Sequence, residues 1–152
     1  EYINDYLLLQ KMRYNRRLNY HIDIPEELMG CKIPKLLLQP VVENSLVHGM
    51  KDKHCVSVTI TARKKDSTLV LSVKGQLKLC VEDNGSGIRE EKLEELRKGL
   101  EREDVYREHI GLYNSHRVVR LLYGPESGMT IESSPGNGTK VTVTLPADME
   151  EI

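Results

Sequence analysis

Hydrophobic and polar residues alternate along several short stretches of the chain, with the period of two that β-strands require. These stretches are residues 19–24, 56–60, 69–73, 77–81, 129–132 and 141–145. The compact turn at 74–76 predicts a hairpin between the third and fourth stretches, and the turn residues at 135–138 predict a closing hairpin between the last two. Two hairpins of this kind favour a sheet that is mostly antiparallel.

Four other segments repeat apolar residues every three or four positions, which places them on one face of a helix. The segments are 1–19, with Tyr2, Tyr6, Leu9 and Met12 on the apolar face, 34–49, 89–104, with Leu93, Leu96 and Leu100, and 112–123, with Val118, Val119 and Leu122. In the second segment, Pro40 lacks the backbone N–H that a helix interior needs. The order of these helices and strands predicts an α+β fold, a two-layer sandwich with a mostly antiparallel sheet.

Length and charge limit the possible classes of protein. The chain has 152 residues, which is enough for one domain with a single core. Its 22 basic and 23 acidic residues give a net charge of -1, so bulk charge does not favour a nucleic-acid partner. The longest apolar runs, such as 36–38, are too short to span a bilayer. The chain starts inside a predicted helix without the layout of a signal peptide, which favours a piece of a larger protein.

The three cysteines, Cys31, Cys55 and Cys80, lie far apart, and the sequence has no C-x-x-C pair. An odd number with this spacing disfavours a disulfide framework or a zinc site. All three are therefore expected to be small buried hydrophobic residues in a reducing, cytosolic setting.

The segment 36–49, LLLQPVVENSLVHG, contains the first set of candidate functional residues. Asn44 and His48 lie one helical turn apart on a shared face, and Glu43 is next to Asn44. Amide and carboxylate oxygens are hard ligands that suit a Mg²⁺ ion bridging phosphates. The same residues also fit a plain polar stripe on a half-buried helix.

Three glycine-containing stretches form the second set. In VEDNGSGI, residues 81–88, Asp83 at a strand end can accept a charge-assisted hydrogen bond from an amine, and Gly85 and Gly87 can let the backbone pass beneath a planar ring. Gly111, just before a predicted helix, can present backbone N–H groups to a phosphate. Thr139, which follows the glycine turn 136–138, can contact a phosphate. Ordinary turns and an ordinary helix start explain the same stretches equally well.

The order of these stretches along the chain resembles that of the GHKL ATPases. LLLQPVVENSLVHG and VEDNGSGI resemble the N box and the G1 box of sensor histidine kinases, HIGLYNSHRVVRLLYG resembles their G2 region, and GNGTKVTVTLP resembles their final strand. With YLLLQKMRYNRRL and IDIPEELMGCKIPKLLLQP, the resemblance to LytS/YesM-like sensor kinases covers residues 2–146. It implies a Bergerat-type ATP-binding fold, in which helices cover one face of a mixed, mostly antiparallel sheet.

The resemblance implies roles for the polar residues of the N box. Asn44 would coordinate the Mg²⁺ that bridges the ATP phosphates, and Glu43 would orient the metal or polarise the acceptor. Relatives usually carry a basic residue where this chain has Val47. His48 is therefore assigned to nucleotide binding, because it or Lys51 would replace the missing basic group.

The resemblance also assigns the residues around the base. Asp83 would bind the adenine amine, while Gly85, Gly87 and Ile88 would shape the pocket beneath the ring. Thr139 would hold the water network on the base side.

The remaining assignments concern the phosphates and a lid. Gly111 and Leu112 would lie near the phosphates, beneath a lid formed by residues 89–110. His109 replaces a glycine that is usual at the start of the G2 box, so this loop is expected to be stiffer.

The implied protein is the ATP-binding catalytic part of a two-component sensor histidine kinase, with ATP and Mg²⁺ as cofactors. Residues 1–19 would be the C-terminal end of a linker and dimerisation helix, and 20–148 the catalytic domain. The chain has no Phe, so it lacks the H-F-L-F-N motif of the phosphoacceptor histidine. The acceptor is therefore expected in an upstream domain of a homodimer. The second implied partner is a response regulator, and the intact protein is expected to be anchored in the cell membrane with this domain in the cytoplasm.

Two alternatives remain open. Val47 and His109 motivate a degenerate nucleotide-binding module that only regulates. A GHKL ATPase that hydrolyses ATP without transferring phosphate is the other.

Overall fold

The computed structural model describes residues 2–31, 33–34, 37–49, 55–65, 76–101 and 110–146. Within these ranges the helices are α1 Tyr2–Tyr14, α2 Gln39–Gly49, α3 Glu90–Glu101 and α4 Ile110–Tyr123. The strands are β1 Leu18–Asp23, β2 Val56–Lys65, β3 Gln76–Asp83, β4 Gly128–Ser133 and β5 Thr139–Pro146.

The strands form one sheet in the order β1-β2-β3-β5-β4. β1 and β2 run parallel, whereas the other three pairs are antiparallel. Alternate residues of β5 are buried, and α2, α3 and α4 pack their apolar side chains into the same core as the buried residues of the sheet. The structure confirms the predicted α+β sandwich with a mixed, mostly antiparallel sheet.

The predicted hairpin between residues 69–73 and 77–81 is wrong. β3 is hydrogen-bonded to β2 on one side and to β5 on the other along its whole length. Both edges of 77–81 are therefore occupied, and no third strand can pair with it. Residues 69–73 themselves lie outside the described residues.

The predicted start of α2 at Pro34 is also wrong, because the helix begins at Gln39. The N–H of Val42 donates to the carbonyl of Leu38 at 2.9 Å, which is the first α-helical bond. Pro40 therefore lies in the first turn, where a missing N–H breaks no helical hydrogen bond. A Cβ atom added at Gly111 would lie 3.2 Å from Pro40 Cβ, so the proline ring packs against the start of α4.

α1 is shorter than the predicted helix 1–19, and its buried face differs from the predicted one. The helix ends at Tyr14, because Asn15 has a φ of 51° and begins a 3₁₀ turn. Leu7 is fully buried, whereas Leu9 and Met12 are 63% and 71% exposed. α1 packs mainly on β1 at the edge of the sheet, so only one narrow side of it is covered.

α4 also differs in part from its predicted face. Val119 is buried, but Val118 and Leu122 are exposed. His116 is buried instead, and its Nδ1 accepts a hydrogen bond from the N–H of Met129 at 2.9 Å, which ties α4 to β4. The predicted stripe of α3 is confirmed, since Leu93, Leu96 and Leu100 are all buried.

The cysteines are all free. Cys31 and Cys80 are half-buried, but Cys55 is exposed, so the prediction that all three are buried is wrong. Cys55 comes just before β2, and its thiol donates to the carbonyl of Arg16 at 3.7 Å.

Candidate functional site

The inward-facing side of β3 ends in a carboxylate. Leu77, Leu79, Val81 and Asp83 alternate on the buried side of the strand, and Asp83 is only 4% exposed. Asp83 Oδ1 accepts a hydrogen bond from the N–H of Gly85 at 2.9 Å. Asp83 Oδ2 is buried and accepts no hydrogen bond from any residue that the structure describes. Buried acceptors are rarely left in this condition, so Oδ2 is available to a donor from a ligand.

The surroundings of Asp83 raise the pKa of its carboxyl group. Burial is the main cause, and the charge of Glu82 adds to it. The N–H groups of Gly85 and Thr139 and the nearby Ser45 hydroxyl act in the opposite direction, but burial prevails. The ionised carboxylate is therefore only partly compensated, and a further donor at Oδ2 would stabilise it.

The Ser45 side chain of α2 lies beside Asp83 at this end of β3. Asn44 and Ser45 are both buried residues of α2, a helix that packs against β3 and β5. Ser45 was not among the residues predicted from the sequence. A small polar residue among buried neighbours on an amphipathic helix is the only sequence signal that points to it.

Glu43 faces a different neighbour. Glu43 is exposed to solvent. The pKa of the Tyr6 hydroxyl on α1 is raised, first by the partial burial of Tyr6 and second by the negative charge of Glu43. One turn earlier, the Tyr2 hydroxyl donates to Gln39 Oε1 at 3.1 Å. Residues two apart on a helix point about 200° away from each other. Glu43 therefore faces α1, whereas Ser45 faces Asp83.

Two glycine turns interlock beside Asp83. Gly87 has a φ of 75°, and a Cβ atom added there would overlap the carbonyl oxygen of Ser134. Gly138 has a φ of 74°, and a Cβ atom there would overlap the carbonyl oxygen of Asp83. The N–H of Gly136 donates to the carbonyl of Ser86 at 2.7 Å. The loop after β3 and the β4–β5 turn thus fix each other in place.

Ser133, which was not predicted as a site residue, joins the two turns through its side chain. Its Oγ accepts a hydrogen bond from the N–H of Ile88 at 2.9 Å and donates to the carbonyl of Gly138 at 2.7 Å. The same atom lies 2.9 Å from Thr139 Oγ1, which must be the donor because the Ser133 proton is already used. Thr139 is buried and pairs with Asp83 across the β3–β5 ladder.

The first turn of α4 lies next to the first turn of α2. Gly111 is the second residue of α4 rather than the residue before it, so the expected position of the helix start is corrected. It is exposed and packs against Pro40, while Leu112 is buried. The first N–H groups of a helix have no partner within the helix, so they can bind an anion.

Part of the predicted lid is anchored in the structure. Arg97 of α3 donates from Nη2 to the carbonyl of Ile131 at 2.6 Å, and α3 packs on β4. Residues 102–109 of the lid, including His109, lie outside the described residues, as does the side chain of His48.

The described residues contain no group of three or more His, Cys, Asp or Glu side chains that could hold a metal ion. A Mg²⁺ ion coordinated mainly by phosphates and water needs only one or two protein oxygens, so the single Asn44 amide suits it. Among the helices in the described ranges, none is both long enough and apolar enough to cross a lipid bilayer.

Comparison with known proteins agrees with this geometry. The family model for histidine kinase-, DNA gyrase B-, and HSP90-like ATPase matches residues 33–149. Sensor histidine kinase YesM of Bacillus subtilis (strain 168) is 30% identical over 152 residues, which are 99% of this chain and 23% of that protein. Sensor protein kinase HptS of Staphylococcus aureus (strain USA300) is 30% identical over 145 residues, which are 95% of this chain and 26% of that protein. The chain thus spans about a quarter of the length of these relatives.

Solved structures show the same fold. The catalytic domain of histidine kinase ThkA superposes with a TM-score of 0.64 at 14% identity, covering 94% of this chain and 87% of that one. The histidine kinase domain of a blue-light activated kinase from Erythrobacter litoralis EL346 gives a TM-score of 0.60 at 17% identity, covering 96% of this chain and 63% of that one. The resemblance seen in the sequence is confirmed, and so is the fold that it implied.

Proposed function

Because the chain belongs to the family of histidine kinase-, DNA gyrase B-, and HSP90-like ATPases, we propose that it binds Mg-ATP and transfers the γ-phosphate to a histidine outside the chain. In this reaction the bond between the γ-phosphorus and its bridging oxygen breaks, a P–N bond forms on the acceptor imidazole, and ADP leaves. The acceptor would belong to a phosphoacceptor domain of the same protein, and a response regulator would take the phosphoryl group next.

One observation carries the proposal: Asp83 Oδ2 is buried and has no hydrogen-bond partner among the residues that the structure describes. The exocyclic amine of adenine is a donor that would satisfy this oxygen. A hydrogen bond from it to the carboxylate would be charge-assisted and therefore strong. Burial removes water from the carboxylate and so destabilises its charged form. A hydrogen bond from the ligand would replace that lost hydration and would therefore contribute more to binding than the same bond at an exposed carboxylate.

The other residues of the site would position the nucleotide. Ser133 and Thr139 hold the β4–β5 turn against the loop 84–88, so the floor beside Asp83 is rigid. Asn44 would hold Mg²⁺, whose chemistry is to neutralise charge on the phosphates as the phosphoryl group moves. Gly111 and Leu112, at the start of α4, would lie near those phosphates. Such a site works by positioning and charge stabilisation.

Further roles are proposed for Glu43 and His48. Glu43 faces α1, so an effect on the metal would require the nucleotide to extend toward that side of α2. Val47 is exposed where relatives usually carry a basic residue, so His48 or Lys51 would replace that basic group.

Calorimetric titration with Mg-ATP tests the binding step. Asp83→Asn removes the charged acceptor, so we expect affinity to fall about 10- to 100-fold. Asp23→Asn is the matched control, because Asp23 also ends a strand but is exposed. An Asp83→Asn affinity equal to that of the control would contradict the proposal.

Incubation with radiolabelled ATP and the phosphoacceptor domain tests the transfer step. The proposal predicts acid-labile phosphate on the acceptor histidine. Binding without label would favour the regulatory module that Val47 motivates, and release of free phosphate without an acceptor would favour a hydrolysing ATPase.

A further inference from the structure

At the opposite end of β3 from Asp83, the sheet lines an apolar cavity of 330 Å³. Its floor is formed by Ala62 of β2 and by Leu77 and Leu79 of β3, all of them buried. Leu37 and Leu38, just before α2, form one wall. Because Leu79 and Leu77 lie four and six residues from Asp83, the cavity floor is about 13 to 20 Å from that residue along the strand. It is therefore separate from the candidate nucleotide site.

The mouth of the cavity is apolar as well. Tyr2, Met29 and Ile33 line it and are exposed to solvent. Large apolar side chains that gather at the opening of an apolar cavity are typical of a surface that meets a ligand. Met29 adds a flexible side chain that can adapt to different shapes.

Polar groups are few and lie at one edge. The Tyr2 hydroxyl and the Gln39 amide are hydrogen-bonded to each other at 3.1 Å beside the mouth. The Gln39 amide still has N–H donors, and the Tyr2 oxygen can still accept. Among the described side chains that line the cavity, none is charged. A charged ligand would lose its hydration here without finding a counter-ion among these side chains, which is costly.

We propose that this cavity is a binding site for a neutral, mainly apolar small molecule with one hydrogen-bonding group. The volume is within the range of small-molecule sites and has room for about a dozen non-hydrogen atoms. The apolar body would lie on Leu77 and Leu79, and the polar group would meet the Tyr2–Gln39 edge. The proposal does not depend on the nucleotide site.

Methyl NMR of the whole chain tests it, with 4-phenylphenol as the probe and 4-phenylbenzoate as its charged counterpart. We expect saturable shifts of the Leu77 and Leu79 methyl groups with a Kd on the order of 10⁻⁴ M for the phenol, and weaker binding by at least about tenfold for the benzoate. The methyl groups of Ile88 and Leu112, beside the nucleotide site, should not shift.

Two variants locate the binding. Ala62→Leu places extra side-chain volume in the cavity floor and should weaken phenol binding at least about tenfold. Val118→Leu, a change of similar chemistry on the exposed face of α4, should leave it unaltered. The proposal is overturned by the absence of saturable shifts, by equal shifts in the Ala62→Leu variant, or by equal binding of both probes. Methyl shifts that follow protein concentration instead of probe concentration would indicate a second copy of the chain in the cavity, and would overturn it too.

Discussion

The two ends of β3 share one strand and one buried face, yet the side chains around them differ in chemistry. At one end, Leu77 and Leu79 meet apolar neighbours and a cavity whose described lining residues are all uncharged. At the other end, the same inward row finishes with Asp83, whose Oδ2 is buried without a partner among the described residues. The backbone geometry of the two ends is alike, so the difference comes from residue type and from the loops that follow. A polar residue at an inward position breaks the pattern of its strand, and such breaks concentrate at functional sites.

The largest expected effect separates stability from binding. Leu77→Ala should lower the free energy of unfolding by about 2–5 kcal/mol, because it removes a buried side chain from the apolar end. Mg-ATP affinity of the folded variant should not change. Urea unfolding and calorimetry check this result, and a parallel loss of affinity would mean that the two ends are not independent.

The interlocked turns give the next largest effect. Gly138→Ala would force a Cβ atom against the Asp83 carbonyl at a positive φ, so we expect a loss of at least about 2 kcal/mol and weaker ATP binding. Gly136→Ala is the matched control, since it has a φ of 79° but open space around its Cβ. It should cost only about 1 kcal/mol. Equal unfolding curves for the two variants would show that the contact with Asp83 does not matter.

A smaller effect is expected at the serines of the same turn. Ser133→Ala leaves the N–H of Ile88 without its acceptor, which should cost about 1–2 kcal/mol and weaken ATP binding. Ser134→Ala removes only an exposed hydrogen bond from Asn137 Nδ2, so a loss of under about 0.5 kcal/mol is predicted. Thermal unfolding of both variants measures the difference. Similar losses of stability in the two variants would show that the Ser133 hydrogen bonds do not hold the two turns together.

The pH dependence of stability gives the smallest effect. Burial raises the pKa of Asp83 above its ordinary value of 3.8 in the folded chain. Below pH 3.8 the carboxyl is protonated in both the folded and the unfolded state, so ionisation costs nothing there. As pH rises through the raised pKa, the wild type should lose stability relative to Asp83→Asn. Urea unfolding across a pH series, with Asp23→Asn to correct for one lost carboxyl, checks this. A constant difference between wild type and Asp83→Asn would contradict it.

The sheet could be predicted where the sequence signal is local. Strands β1, β4 and β5 follow from alternation, and the closing hairpin follows from its glycine turn. The pairing of β3 could not be predicted in this way, because its neighbouring strands are determined by contacts between residues distant in sequence, such as Val81 with Val141. The local signal at 74–76 therefore favoured the wrong partner.

Helix boundaries and faces were harder for a different reason. Both Pro34 and Pro40 suit a first helical turn, and periodicity alone does not choose between them. α1 and α4 have more apolar residues than the sheet covers, so the spacing of Leu9 or Leu122 did not reveal which side is buried.

The residues of the candidate site also differ in whether the sequence signals them locally. Asp83 was predicted from the order of the motifs and the family resemblance, and the structure shows that its carboxylate is buried at the expected strand end. Ser133 and Ser45 were missed because a lone serine carries no pattern. Ser133 reaches a residue 45 positions away, Ile88, and only the folded chain brings the two together.

The most direct test of the central claim compares nucleotides that differ at the group facing Asp83. Inosine triphosphate has a carbonyl oxygen where ATP has the exocyclic amine. With Mg²⁺ present, calorimetry on the wild type should show ATP binding about 10- to 100-fold more tightly than inosine triphosphate, because only the amine can donate to Oδ2. The Asp83→Asn variant should lose most of that preference. The same ratio of affinities in both proteins would contradict the account.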